Sequence, residues 1–114
     1  MRNFADNLLL NPRMSANVIV TISYPVKLDK IVQYQHLAEQ FARAVNDTQS
    51  GIEVSIYASD EKANAFVEVY ECYNNESFDN LEDNYDDHTK DLVIGISECL
   101  EERQTIRTLS KRIG

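Results

Sequence analysis

AFVEVYECYNNESFDNLEDNYDDHTKDLVIGISECL, residues 65–100, changes its hydrophobic period partway along. Its first eight residues are rich in Phe, Val and Tyr, which suit a pleated, half-buried surface. After Asn74-Asn75 the apolar residues recur at helical spacing instead: Phe78, Leu81, Tyr85, Leu92, Ile96 and Leu100, with His88 on the same stripe. The spacing predicts a strand that feeds one helix, with Asn74 or Asn75 as N-cap and Glu76 in the first turn.

Upstream, VIVTISY alternates, with Val18, Val20, Ile22 and Tyr24 on one face, and Pro25 ends that strand. Lys27 to Asp47 places Ile31, Tyr34, Leu37, Ala38, Phe41, Ala42 and Val45 on one helical face. Asp29 lies near the start, where a carboxylate complements the helix dipole, and NDTQSG supplies the stop, with Gly51 free to take a positive φ. GIEVSIY is a second strand, joined to the 65–72 strand by the polar segment Ser59 to Asn64, which makes the two a hairpin. After Leu100, Ile106, Leu109 and Ile113 fit helical spacing, while QTIRTL fits an edge strand, and periodicity leaves both open. The order is strand, helix, strand, strand, helix and a final segment: α+β, the ferredoxin-like βαββαβ arrangement of an antiparallel sheet with two helices on one face. Residues 1–16 read as an extension and 17–114 as a single domain.

A chain of 114 residues with 43% hydrophobic and 26% charged residues has room for one core and the balance of a globular protein. A net charge of -8 excludes nucleic acid or an anionic membrane surface as the main partner, since either needs a clustered Lys/Arg face. No apolar stretch is long enough for a membrane span, and the N-terminal Leu8 to Leu10 run is too short for a signal peptide, so the expected location is cytoplasmic. Cys72 and Cys99 lack zinc-site spacing and are expected reduced and buried.

In this frame, the long first helix, the Gly51-led second strand, the FVEVYECY third strand, the NNESF lead into the second helix and the DDHTKDL run resemble the antibiotic-biosynthesis-monooxygenase family of dimeric α+β barrels. The resemblance covers about Asn17 to Leu109 and implies a homodimer whose sheets pack face to face, with a pocket in each subunit between sheet and helices. It implies, as one activity, cofactor-free monooxygenation of a small aromatic or quinol-like molecule. Two departures stand out. Leu81 and Glu82 occupy the place of the family's frequent histidine after Phe78, and no Trp exists to distort a haem, so haem degradation is not expected and no cofactor is assigned.

The candidate catalytic residue is His88, whose unperturbed pKa near 6.5 suits a general base, although a histidine on an apolar stripe is also commonly a core residue held by a carbonyl. Tyr34, Tyr70 and Tyr85, with Tyr57, are the candidate substrate-binding groups, against the alternative of ordinary aromatic core. Asp87 and Asp91 flank His88 one turn apart, but the acidic run lacks the Gly and terminal Glu of a calcium loop, so it reads as a solvated face and no metal is assigned. His36 falls off the first helix's stripe and is expected at the surface. Two further readings stay open: a non-enzymatic small-molecule sensor of the same topology, and an interaction module whose pocket is filled by its own side chains.

Overall fold

The computed structural model describes residues 16–102 and 105–114; the expected N-terminal extension lies almost entirely outside them. Strand β1 (Val18–Pro25) leads through a turn of 3-10 helix (Leu28–Lys30) into α1 (Ile31–Thr48). Strands β2 (Ile52–Ala58) and β3 (Ala65–Cys72) follow, then a short helix α2 (Asn75–Asp79), a second 3-10 turn (Glu82–Asn84), α3 (Asp87–Cys99) and β4 (Ile106–Lys111). The sheet order is β2-β3-β1-β4, antiparallel throughout, as the ferredoxin-like reading requires. The final segment is an edge strand.

Because opposite residues in an antiparallel pair share a face, the register sorts the side chains into rows. Val54, Tyr70, Val20 and Leu109 form one inner row, and Ile56, Glu68, Ile22 and Arg107 the next. The helices cover this side. Tyr34, Ala38, Phe41 and Val45 of α1 and Leu92, Ile96 and Cys99 of α3 bury themselves against it. Gly95 lies where α1 and α3 meet: a Cβ there would stand 3.1 Å from Leu37 Cδ1, so the missing side chain sets how closely the helices approach. Gly51 has φ 76°, the positive value expected after α1.

The long second helix of the sequence reading is corrected. It is broken between Asp79 and Asp87, where a turn of 3-10 helix intervenes, Tyr85 is extended and Asp86 caps a new helix by accepting the Thr89 amide at 2.8 Å. Asn74 caps the short helix in the same way, accepting the Ser77 amide at 2.9 Å. The intervening NNESFDNLEDNYDD is dense in Asn and Asp, which bind nearby backbone and favour caps over helix interiors. The restart also shifts the helical phase. Phe78, Leu81, Tyr85, Leu92, Ile96 and Leu100 remain at least partly buried, while His88 is exposed and Thr89 takes the inward position.

Candidate active site

A cavity of about 340 Å³ opens between the inner sheet face and the α2–α3 segment. Aromatic rings form much of its wall. Tyr70 meets Phe78 edge-to-face at 5.1 Å and Phe41 meets Tyr85 at 5.9 Å. Glu68 and Arg107 border the same space from β3 and β4, two strands apart on one row, about 10 Å from backbone to backbone. The Arg107 guanidinium lies 4.9 Å from the Phe78 ring centre, over its face.

Glu68 is only 8% exposed, in a row whose neighbours on both sides are isoleucines. A charged residue there needs partners, and it has them. Tyr70 donates to Oε1 at 2.6 Å, and Tyr24 of β1 donates to Oε2. Since Tyr24 has one hydroxyl hydrogen and gives it to the carboxylate, the 2.7 Å contact between the Tyr24 and Tyr34 hydroxyls is donated by Tyr34. The result is a buried chain from α1 through β1 to β3: Tyr34, Tyr24, Glu68, Tyr70. Burial pushes the Glu68 carboxyl above the usual carboxylate range, and the two tyrosine hydrogen bonds pull it back only in part. Burial likewise raises Tyr70, Tyr85, Tyr24 and Tyr34, with the Glu68 charge adding to each. The tyrosines therefore stay protonated donors, and among these four residues Glu68 is the group suited to take or release a proton.

Of the residues singled out from sequence, Tyr70 and Tyr85 line this cavity. Tyr34 does not; with Tyr57 it borders a second cavity of about 440 Å³ between α1 and β2, and it reaches the first only through Tyr24 and Glu68. His88 borders neither, standing exposed in the first turn of α3 beside exposed Asp87 and Asp91, so its expected place on the buried stripe is corrected. His36 is exposed as expected, and among the described residues no cluster of His, Cys, Asp and Glu is placed to hold a metal. Cys72 and Cys99 are free and buried, and burial pushes the Cys72 thiol up to about 11. No helix of the described residues is long and apolar enough to cross a membrane.

Glu68, Tyr24 and Arg107 were missed. The signal for Glu68 was present: it shares its alternation phase with Phe66, Tyr70 and Cys72. The other phase carries Val67 and Val69, however, so the inward face of β3 was undecided.

No protein-family model and no curated protein matches the chain. Solved structures do. A conserved protein from Methanosarcina mazei Go1 superposes with a TM-score of 0.73 at 19% identity, covering 91% of this chain and 100% of that one. An antibiotic biosynthesis monooxygenase superposes at 0.71 with 13% identity, over 85% of this chain and 99% of that one. SnoaB, a cofactor-independent oxygenase from Streptomyces nogalater, superposes at 0.70 with 10% identity, over 87% and 95%. At such identities the likeness speaks to architecture, and on that point it is plain: this chain has the fold of the antibiotic biosynthesis monooxygenases.

Proposed function

We propose that the protein binds a small phenolic or quinol-like aromatic in the 340 Å³ cavity and oxygenates it without a cofactor, with Glu68 rather than His88 handling the phenolic proton. The observation that carries this reading is a buried carboxyl, raised by its surroundings, at the wall of an aromatic cavity and gripped by two tyrosine donors. The volume suits one or two fused rings, and the fold is shared with a structure described as a cofactor-independent oxygenase.

In this mechanism a substrate hydroxyl gives its proton to the Glu68 carboxylate, and the resulting electron-rich anion reacts with dioxygen at the ring carbon opposite. One oxygen atom becomes the new carbonyl of a quinone. The other leaves as water with the ring hydrogen and the hydroxyl proton, so the substrate supplies all four electrons. Tyr70 and Tyr85 orient the ring, and the Arg107 charge favours the anion.

The outer sheet face supports the homodimer implied by the family resemblance. Two of its rows run Tyr57, Val67, Ser23, Ile106 and Ser55, Val69, Thr21, Thr108, with no charge in either; the next row, Glu53, Glu71, Ile19, Ser110, carries two carboxylates at one end of the face, and Ile106 is 63% exposed. A second copy packed sheet to sheet would cover them. Light scattering that gave one chain mass at micromolar concentration would refute the dimer.

The decisive assay is oxygen uptake with a panel of hydroxynaphthalenes. Wild type and H88A are expected to consume oxygen alike, and E68Q to be slower by about a hundredfold. Binding without oxygen uptake would replace the oxygenase with a small-molecule sensor, and no binding at all would leave an interaction module.

A further inference from the structure

The carboxyl at the first cavity is tied by hydroxyls to a residue at the second, and the oxygenase reading assigns no role to that link. We propose that Tyr24 and Tyr34 form a proton relay that connects Glu68 to the second cavity, so that the carboxyl exchanges its proton with water while an aromatic ligand fills the first. This rests on the proposed role of Glu68 as proton acceptor.

The geometry supplies what a relay needs. Every donor and acceptor from Tyr34 to Glu68 is in direct hydrogen-bond contact, the Tyr24–Tyr34 step spanning 2.7 Å. Tyr34 is 1% exposed and borders the second cavity, on the α1 side of the sheet, away from the Arg107 and Phe78 rim of the first. A bound aromatic would close that rim and cover what remains of Glu68's 8% exposure, leaving among the described residues no other path through hydroxyls than Tyr24, since Tyr70 borders the same closed space. In the relay the Tyr24 and Tyr34 hydroxyl hydrogens first turn outward from the arrangement seen; the protonated carboxyl then gives its hydrogen to Tyr24 as Tyr24 passes its own to Tyr34, and Tyr34 releases one to water. One proton leaves, no bond to carbon is made or broken, and the two hydroxyls end as the structure shows them, Tyr34 donating to Tyr24 and Tyr24 to the Glu68 carboxylate.

The ionisable groups around the chain are Tyr70 on Glu68's own strand, Tyr85 from the α2–α3 segment, Arg107 of β4, Asp79 and Glu82 at the border of the first cavity, Cys99 of α3 on the Tyr34 side, and Glu39 of α1 and Tyr57 of β2 at the second cavity. The hydroxyl that bridges Glu68 and Tyr34 is that of Tyr24. Removing the Tyr34 hydroxyl leaves its ring packed 4.5 Å from Phe66, so Y34F keeps the wall and loses only the exit.

The test is the deuterium exchange of the protonated Glu68 carboxyl, read by infrared spectroscopy as the band absent in E68Q. V93W fills the first cavity in place of a ligand, since Val93 lines it. Exchange in V93W is expected to remain within about twofold of wild type, and in V93W/Y34F and V93W/Y24F to slow at least about tenfold. Equal rates in V93W and V93W/Y34F would overturn the relay, as would slowing by Y24F alone, which would put the exit at Tyr24. The readout does not depend on turnover. A wild type that consumes no oxygen but shows this pattern keeps the relay and loses the oxygenase. Where turnover is found, Y34F should lower kcat, leave KM unchanged and enlarge the solvent isotope effect.

Discussion

Tyr70 donates a 2.6 Å hydrogen bond to Glu68, two residues back on the same strand and the same face, so the partner that holds the carboxyl also walls the cavity. The bond favours the ionised form, but burial outweighs it, and the folded protein holds the Glu68 proton more tightly than the unfolded chain does. A raised carboxyl contributes its stability in full below the ordinary glutamate range, about 4.3, and loses it as pH climbs through the higher folded value. The difference in unfolding free energy between wild type and E68Q, from urea denaturation, should therefore fall as pH rises from about 4 and then level off. A difference independent of pH would show that Glu68 titrates normally.

Tyr24 both accepts from Tyr34 and donates to Glu68. Its loss strands two buried partners, and Y24F should cost about 1–3 kcal/mol, whereas Y34F strands only one lone pair and should cost about 1 kcal/mol. The double variant should cost less than the sum, by at least about 0.5 kcal/mol, because the substitutions share a bond. Additive losses would mean that the two hydroxyls are not coupled.

Asp86 accepts the Thr89 amide, and that bond holds its carboxyl below the usual range. D86A should lower hydrogen-exchange protection through the first turns of α3, and D86N, which keeps an accepting oxygen, should retain most of it. H88A, two residues on and exposed, should leave both protection and stability unchanged, the latter within about 0.5 kcal/mol. Substantial destabilisation by H88A would restore the buried histidine of the sequence reading.

At Gly51 the φ of 76° is compounded by crowding, since a Cβ would lie 3.2 Å from Ser77 Oγ at the start of α2. G51A should cost about 1 kcal/mol or more. A neutral outcome in thermal unfolding would mean that the α1–β2 turn relaxes without loss.

The strand and helix order was legible in the sequence because each element repeats its signal many times: α1 buries Tyr34, Ala38, Phe41 and Val45 on one stripe, as the spacing requires. The site was harder to read because it depends on single decisions of phase. In β3 both faces carry apolar residues, and only packing decides that Glu68 turns inward while Val67 and Val69 turn out. At 81–86 a helical spacing persists across a break, because Tyr85 and Leu92 are both inward whether or not the helix between them is continuous. His88 then looked buried by arithmetic that a cap at Asp86 resets. Arg107 could not be placed until the last segment was known to be a strand opposite Ile22.

The pairing of Val18 with Lys111 also bears on how the molecule is made. β1 emerges from the ribosome first and β4 last of the four strands, so one edge of β1, with Ile19 and Ile22 on it, stays open while everything between is synthesised. An unpaired edge of that kind is a template for other nascent chains. Truncation before Ile106 should therefore yield a product that is captured by chaperones or precipitates, although β4 itself contributes no buried residue to the core.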